Sequence, residues 1–445
     1  MSDQAVYHVP TIYHKLTTDR DSKSIAPLRV LVPGSKSITN RALLLATLAD
    51  GISTLRGVLF SDDSRHFLKC IRDLGFETTV NETEKIISVK GLGGKAPLSE
   101  AELYVGSAGT AARFLTAYLA LTDGTYHMDA SAQMRKRPMA PLLNCLQELG
   151  CEITYDTPED EGHFPFTLSG NGFQKDHIRV NIDSSSQFLS ALLIASTLSE
   201  KDFTTAIEGT HGMAYIEMTL KMMAQFGVEA KKISDDRYLT KSGQTYQPLD
   251  YQVEPDVSAA CYFYALAPLL GIPVLVDHVH FDSLQGDVAF IHILEQMGCH
   301  AADTPDGILV TPPENGHYNG VHVDMSACSD QAITLAAIAP FAESPTTITG
   351  IGHIRFQESD RIAAIVTELT KIGIMCEETK NSITIYPGTP LPSDVDTYDD
   401  HRMAMGFSLI GLRSEGIRIN DPGCCRKTFE NYFDVLDGVI SQLTS

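Results

Sequence analysis

Basic and hydroxyl side chains gather at a point where a predicted strand gives way to a predicted helix. Residues 33–41 place Lys36 and Ser37 at a helix start and Arg41 one turn further on the same face. Two cations, a hydroxyl and the free N–H groups of a first helical turn form a binding site for phosphate or carboxylate. A phosphate-binding P-loop needs the pattern G-x-x-x-x-G-K-[ST], and here Ser35 replaces its second glycine. On its own, the segment also fits a solvent-exposed N-cap.

Further strand–helix junctions carry other groups that bind anions. Gly109 follows a glycine-rich turn that allows a ligand close to the backbone, and Arg137 lies in the cationic loop QMRKRP. The helix start in DSSSQF adds three hydroxyls and an amide: Ser184, Ser185, Ser186 and Gln187. Taken singly, these segments also fit a turn, a solvated loop and an N-cap.

Carboxylates and cations occur together in the C-terminal part of the chain. Asp330 precedes a helix, where an N-cap is the favoured interpretation, and Glu358 and Arg361 fit a surface ion pair three residues apart. Three more ionisable groups follow near helix starts or as lone cations: His401, Arg402 and Lys427. Carboxylates beside cations are suited to proton transfer between positioned groups.

These residues lie at corresponding places in a repeat. Six strand–helix junctions are separated by 72, 77, 72, 72 and 70 residues, counted between Ser37, Gly109, Ser186, Ser258, Asp330 and Asp400. Helices between the junctions are predicted to end at glycines: Gly75, Gly150, Gly227, Gly298 and Gly373. Glu254 and Asp256, at the fourth junction, are predicted to be structural caps. One α/β unit used six times predicts two domains of three repeats, the first three ending near Tyr251.

The bulk composition excludes several classes of protein. The chain has 445 residues and a formal net charge of −22, which argues against binding to nucleic acid or to an anionic membrane. No apolar run approaches the ~20 residues of a membrane-spanning helix, and no signal peptide is evident. Nine cysteines without a C-x-x-C pair predict reduced thiols and a cytoplasmic location. No histidine pair has zinc-ligand spacing, so no structural metal is predicted. No cofactor is predicted either.

The motifs jointly resemble the 5-enolpyruvylshikimate-3-phosphate (EPSP) synthase family over roughly residues 10–440. They are PGSKSITNRALLLA, GSAGTAARFL, RKRP, SSQFLSALL, ESDRIAA, DDHRMAM and KTF. The resemblance implies an α/β (α+β) fold of two domains, each of three βαβαββ-type repeats, with helix N-termini facing the interdomain cleft. It also implies domain boundaries that place residues 1–34 and 254–445 in one domain and residues 35–253 in the other.

This family transfers the enolpyruvyl group of phosphoenolpyruvate to the 5-hydroxyl of shikimate 3-phosphate and releases phosphate. The resemblance implies a catalytic set of Asp330, Glu358, Lys36 and His401. It implies that shikimate 3-phosphate is bound by Lys36, Ser37, Arg41, Ser185, Ser186, Gln187, Tyr215, Asp330, His353 and Gln357. It implies that phosphoenolpyruvate is bound by Lys36, Gly109, Arg137, Gln187, Arg361, Arg402 and Lys427. The expected partners are these two small molecules, without nucleic acid or membrane, and the enzyme is expected to be monomeric.

Four positions depart from the common pattern of the family. Gln357 replaces a lysine that contacts the shikimate substrate, Gly212 replaces a substrate-binding serine, and His353 stands where many members have asparagine. Phe114 follows Arg113 where proline is frequent. These departures bear on individual substrate contacts rather than on the reaction.

Three other functions remain open at this stage. UDP-N-acetylglucosamine enolpyruvyl transferase shares the fold, but its loop carries a cysteine that residues 130–136 lack. A P-loop kinase is disfavoured by the broken glycine pattern. A sugar-phosphate-binding protein without activity is disfavoured because Lys36, Asp330 and Glu358 are all retained.

Overall fold

A computed structural model describes residues 5–18 and 26–444 of the chain. Residues 1–27, which lie outside the six repeats, are therefore described only in part. The chain folds into two compact units: the first comprises Met1–Pro33 and Glu254–Ser445, and the second comprises Gly34–Val253.

The second unit contains three four-stranded sheets, each with one parallel and two antiparallel pairings. In spatial order, their strands are Asp250–Gln252, Asp50–Arg56, Ile86–Leu92 and Thr78–Asn81; Glu100–Tyr104, Gly124–Asp129, Phe166–Gly170 and Glu152–Tyr155; and His177–Asn181, Phe203–Glu208, Arg237–Thr240 and Ala230–Ser234. Its helices are Lys36–Leu48, Asp62–Asp73, Gly109–Ala120, Ala132–Arg135, Ala140–Glu148, Gln187–Ala195 and Met213–Gln225.

The first unit contains two four-stranded sheets and one three-stranded sheet. In spatial order, their strands are His300–Thr304, Gly307–Thr311, Val274–Val276 and Leu28–Val30; His322–Asp324, Thr346–Thr349, Ser382–Ile385 and Cys376–Glu378; and Val6–His8, Ile417–Asn420 and Ser393–Val395. Its α-helices are Tyr13–Thr18, Val257–Tyr264, Ala289–Gln296, Ala332–Ile338, Arg361–Lys371, His401–Arg413 and Tyr432–Thr444.

The first helix of a repeat is buried on every side, whereas the second is amphipathic. Every residue of Gly109–Ala120 is buried, and the helix packs against Gln187–Ala195. Asp62–Asp73 instead buries only one face. A helix that is surrounded by protein exposes mainly its ends, so the polar residues at its N-terminus are the ones available for chemistry. The five predicted terminal glycines all have positive φ, which confirms that they end helices.

Strand Leu28–Val30 joins a sheet that the repeat spacing alone does not indicate. Leu28–Val30 immediately precedes helix Lys36–Leu48 in the repeat pattern, but it pairs in parallel with Val274–Val276 of the first unit. The corresponding place beside Asp50–Arg56 is taken by Asp250–Gln252, which returns from the end of the third repeat. The chain thus leaves the first unit after two strands, Val6–His8 and Leu28–Val30, and re-enters it 220 residues later, after Val253.

Candidate functional site

The first junction of the second unit places a lysine against a buried acid. Helix Lys36–Leu48 begins after Ser35, whose hydroxyl accepts a hydrogen bond from the backbone N–H of Ile38. Lys36 Nζ lies 3.3 Å from Oδ2 of Asp63, a buried residue near the start of the next helix. Sequence reasoning missed Asp63, because an acid in the first turn of an amphipathic helix resembles an ordinary dipole contact.

Arg41 is a buried cation with neutral partners. Its side chain is 1% exposed and donates to Thr219 Oγ1 at 2.8 Å, to the Ser37 carbonyl at 3.1 Å and to the Tyr215 carbonyl at 3.3 Å. Within the described part of the chain, no carboxylate forms an ion pair with it. Burial lowers the pKa of Arg41 from 12.5 to about 10, because desolvation disfavours the charged form. The site therefore holds a positive charge that an anionic ligand would stabilise.

Gly109 lies between two guanidinium groups at the start of its helix. A Cβ at this position would lie 2.7 Å from Arg113 Nη1 and 3.0 Å from Arg137 Nη1. The residue before the helix, Ala108, provides no side-chain cap, so no capping side chain accepts hydrogen bonds from the N–H groups of the first turn. Two arginines beside a helix N-terminus suit an anion. Sequence reasoning did not assign Arg113 to the site; its position four residues after Gly109, one helical turn, was an available signal.

Ser185, Ser186 and Gln187 meet at the third junction. The Ser185 hydroxyl accepts from the Gln187 N–H at 3.2 Å, whereas Ser186, at the N-cap position, makes no side-chain cap. Gln187 Oε1 is buried and has no hydrogen-bond partner within the described residues. Buried acceptors are rarely left without a donor, so Gln187 has an oxygen available for a ligand hydroxyl. Gly212 has φ +65°, and a Cβ there would lie 2.4 Å from Ser186 Oγ, so the serine common at this position in the family would collide.

Arg361 is the centre of an ionic cluster in the first unit. It is 1% exposed and donates to Asp400 Oδ2 at 2.8 Å, to Asp330 Oδ1 at 3.0 Å and to Glu358 Oε2 at 2.7 Å. The surface-pair interpretation of Glu358 and Arg361 is therefore wrong, since the guanidinium is buried and the Glu358 side chain is only 15% exposed. The carboxylates raise the pKa of Arg361 against the effect of its burial, so it stays charged.

Asp330 joins this cluster to a second arginine. Its Oδ1 accepts from Arg361 and its Oδ2 accepts from Arg402 Nη2 at 2.9 Å. The N-cap interpretation of Asp330 is wrong, because the N-cap positions of the two adjoining helical segments are Cys328 and Gln331. Asp330 is thus a carboxylate whose two oxygens contact two different guanidinium groups.

The sixth junction is organised by Asp400. This fully buried carboxylate accepts from the Arg402 backbone N–H at 3.0 Å, as a helix N-cap, and also from Arg361. His401 is buried, with Nδ1 3.8 Å from Asp400 Oδ1. Lys427 Nζ donates to the Asp399 carbonyl at 2.6 Å and lies 3.1 Å from Asp399 Oδ2.

Two of the departures from the family pattern lie close to the same cluster. His353 Nε2 and Ser329 Oγ are hydrogen-bonded at 2.8 Å, and Gln357 Oε1 accepts a hydrogen bond from Arg361 Nη1. Gln357 thus gives Arg361 a neutral acceptor in addition to its carboxylates.

The two predicted caps of the fourth junction have different roles. Asp256 is a helix cap, as predicted, and accepts from the Ala259 N–H at 3.0 Å. Glu254 is not a cap, since it accepts from the Ser283 hydroxyl at 2.6 Å and from the Leu284 N–H at 3.2 Å in a loop.

Asp287 is a buried carboxylate that the sequence did not reveal. It accepts from Ser258 Oγ at 2.8 Å and from Gln331 Nε2 at 3.1 Å. Burial, and then the nearby negative charge of Asp330, raise the pKa of Asp287 to about 6. A carboxyl whose folded pKa exceeds its unfolded value binds more protons when folded, so the stability it contributes falls as pH rises from about 4 to about 6.

We therefore expect Asp287→Asn to be more stabilising at pH 7 than at pH 4.5. The amide keeps the shape of the side chain but carries no charge to desolvate. Melting temperatures of the variant and the parent across this pH range provide the measurement. An equal difference at both pH values would contradict the raised pKa.

Within the described residues, no helix is long and apolar enough to cross a membrane. No group of three or more histidine, cysteine, aspartate or glutamate side chains among them is arranged to hold a metal ion.

Comparison with known proteins identifies the family. The sequence model of EPSP synthase (3-phosphoshikimate 1-carboxyvinyltransferase) matches residues 26–436. A 3-phosphoshikimate 1-carboxyvinyltransferase from Trichormus variabilis is 45% identical over 414 residues, 93% of this chain and 96% of that protein. One from Sulfurovum sp. is 41% identical over 433 residues, 95% of this chain and 100% of that protein.

Solved structures agree with this assignment. EPSP synthase from Acinetobacter baumannii has a TM-score of 0.78 and 25% identity, with 98% of each chain covered. The enolpyruvyl transferase NikO from Streptomyces tendae has a TM-score of 0.75 and 15% identity, with 94% of this chain and 95% of that chain covered. At this identity the similarity shows the fold alone. The predicted two-domain α/β fold is confirmed, and the chain belongs to the EPSP synthase (3-phosphoshikimate 1-carboxyvinyltransferase) family of shikimate-pathway transferases.

Proposed function

We propose that the chain carries out the reaction of its family with two sets of residues, one in each unit. The reaction moves the enolpyruvyl group of phosphoenolpyruvate to the 5-hydroxyl of shikimate 3-phosphate. The observation that carries the proposal is the sharing of Arg361 by two carboxylates, Asp330 and Glu358. A buried guanidinium fixes both acids in one place, as proton transfer in two directions requires.

In the second unit, the buried charge of Arg41 is proposed to bind shikimate 3-phosphate. It would act with the hydroxyls, the amide and the tyrosine at neighbouring helix starts: Ser37, Ser185, Ser186, Gln187 and Tyr215. Lys36 would contact both reactants. Gly109 and Arg137, whose side chain lies beside the helix N-terminus, would bind phosphoenolpyruvate together with Gln187.

In the first unit, Arg361, Arg402 and Lys427 are proposed to bind phosphoenolpyruvate. His353 and Gln357 would contact shikimate 3-phosphate together with Asp330, and His401 would support the acid–base pair. Arginine and lysine charges balance the phosphates, so the proposal calls for no metal and no cofactor.

The proposed chemistry balances through a tetrahedral intermediate. The 5-hydroxyl loses its proton as its oxygen bonds to the central carbon of phosphoenolpyruvate, while the methylene carbon gains a proton. The methyl group then loses a proton, the double bond re-forms and the carbon–oxygen bond to phosphate breaks. Asp330 and Glu358 supply these proton positions.

The test of this function is phosphate release by the purified chain. We expect release from phosphoenolpyruvate only when shikimate 3-phosphate is present. Release with UDP-N-acetylglucosamine and none with shikimate 3-phosphate would assign the chain to the sister reaction, and magnesium-dependent hydrolysis of ATP would favour a kinase.

The cysteines favour the shikimate reaction over that of the sister family. All nine are free thiols, and burial raises the pKa of Cys70 and of Cys145 to about 12. Thiols in such surroundings are poor nucleophiles. The proposal extends to a cytoplasmic, monomeric enzyme, since reduced thiols suit a cytoplasm.

A further inference from the structure

Helix Arg361–Lys371 contacts the segment before Arg402 at two places. At its start, Arg361 donates to Asp400 at 2.8 Å. Glu368 lies seven residues later, two turns along the same face. The Glu368 side chain is completely buried, and the reaction proposed above does not use it.

Glu368 receives hydrogen bonds from three donors. They are the Tyr398 hydroxyl at 2.7 Å, the Asp396 backbone N–H at 3.1 Å and Lys371 Nζ at 2.9 Å. A buried carboxylate costs free energy unless such donors satisfy it. Two of the three donors belong to the segment between strand Ser393–Val395 and helix His401–Arg413. The buried Glu368 carboxylate therefore holds this segment through hydrogen bonds.

This segment contains two adjacent residues in the left-handed region. Tyr398 has φ +57° and Asp399 has φ +52°. Such a conformation is unfavourable for a residue with a side chain and persists only where the surroundings hold it. Lys427 holds Asp399 through its carbonyl, and Glu368 holds Tyr398 through its hydroxyl. The next three residues are Asp400, His401 and Arg402.

We propose that Glu368 and Tyr398 are positioning residues for phosphoenolpyruvate, because they hold the strained turn that sets the place of Arg402. The inference rests on the proposed role of Arg402 as a ligand of that substrate. Tyr398 acts through its hydroxyl, since the residue is 43% exposed while the carboxylate that its hydroxyl contacts is buried.

The test is Tyr398→Phe, which removes one hydroxyl. We expect the KM for phosphoenolpyruvate to rise about tenfold, the KM for shikimate 3-phosphate to change less than twofold and the melting temperature to stay within about 2 °C. The matched control is Tyr386→Phe, since the Tyr386 hydroxyl donates to Glu377 at 3.2 Å in an exposed pair of the same unit, and we expect its kinetics to be unchanged. Glu368→Gln still offers an acceptor to the Tyr398 hydroxyl, so it should raise the KM for phosphoenolpyruvate less than Glu368→Ala does.

A second arm separates this inference from the proposed function. Arg402→Gln should raise the KM for phosphoenolpyruvate, and Tyr398→Phe should add nothing in that background. A normal KM in Arg402→Gln would refute the role of Arg402 and this inference with it. A raised KM in Arg402→Gln beside a normal one in Tyr398→Phe would refute this inference alone, as would equal rises in both KM values with a lower melting temperature.

Discussion

Replacing Glu358 by glutamine is expected to lower kcat by about 10²–10⁴-fold while substrate binding persists. Glutamine keeps an oxygen that accepts from Arg361 Nη2, so the contact now measured at 2.7 Å survives without the ionisable proton site. Asp330→Asn should lower kcat to a similar degree. It should also raise the KM for phosphoenolpyruvate, because the new amide group faces one of the two guanidinium groups that Asp330 now contacts.

Phosphate release at saturating substrate gives kcat, and calorimetric titration with shikimate 3-phosphate shows whether the variants still bind. The control is Glu378→Gln, which alters an outer carboxylate paired with Arg355 in the same unit and should leave kcat unchanged. Near-normal turnover in both Glu358→Gln and Asp330→Asn would leave the two carboxylates as structural partners of Arg361.

The predictable part of the site is the part encoded locally. Lys36, Gly109 and Arg402 each stand at a helix start, and a strand–helix junction is recognisable from a dozen adjacent residues. Recurrence of these junctions at a nearly constant spacing predicted the repeated α/β unit. The path of strand Leu28–Val30 was not predictable from the repeat alone, because the period of a repeat does not specify which sheet a strand joins. Only the family resemblance implied a domain boundary at residue 34.

The partners of the functional residues were the unpredictable part. Asp63, Asp287 and Glu368 each contact a group that lies far away in the sequence. The local Glu368–Lys371 spacing fits only a surface ion pair and does not reveal the contacts of Glu368 with Asp396 and Tyr398. The Glu358–Arg361 spacing was misinterpreted for a related reason. Three residues apart on a helix is the pattern of a weak surface pair, and only the tertiary structure shows that Arg361 is buried against Asp400.

Arg41→Met is expected to weaken shikimate 3-phosphate binding by about 10²–10³-fold with little change in the free energy of unfolding. The lowering of the Arg41 pKa from 12.5 to about 10 corresponds to a burial cost of about 3 kcal/mol for its charge. Methionine removes that cost and fills much of the space, while three hydrogen bonds to neutral oxygens, each worth about 1 kcal/mol, are lost. The two contributions to stability nearly cancel, whereas the ligand phosphate loses its buried cation.

Arg361→Met provides the contrast, because the same substitution there leaves carboxylates without their cation. Asp400 is fully buried, so losing Arg361 should destabilise the protein by about 3–5 kcal/mol. Urea unfolding and calorimetric titration of both variants measure the two effects, with Arg56→Met, at an exposed pair with Asp250, as the control. A large loss of stability in Arg41→Met with intact binding would mean that Arg41 holds the fold together. The expected result is weak binding with nearly unchanged stability. It would show that the fold tolerates the buried charge of Arg41 because the substrate neutralises it.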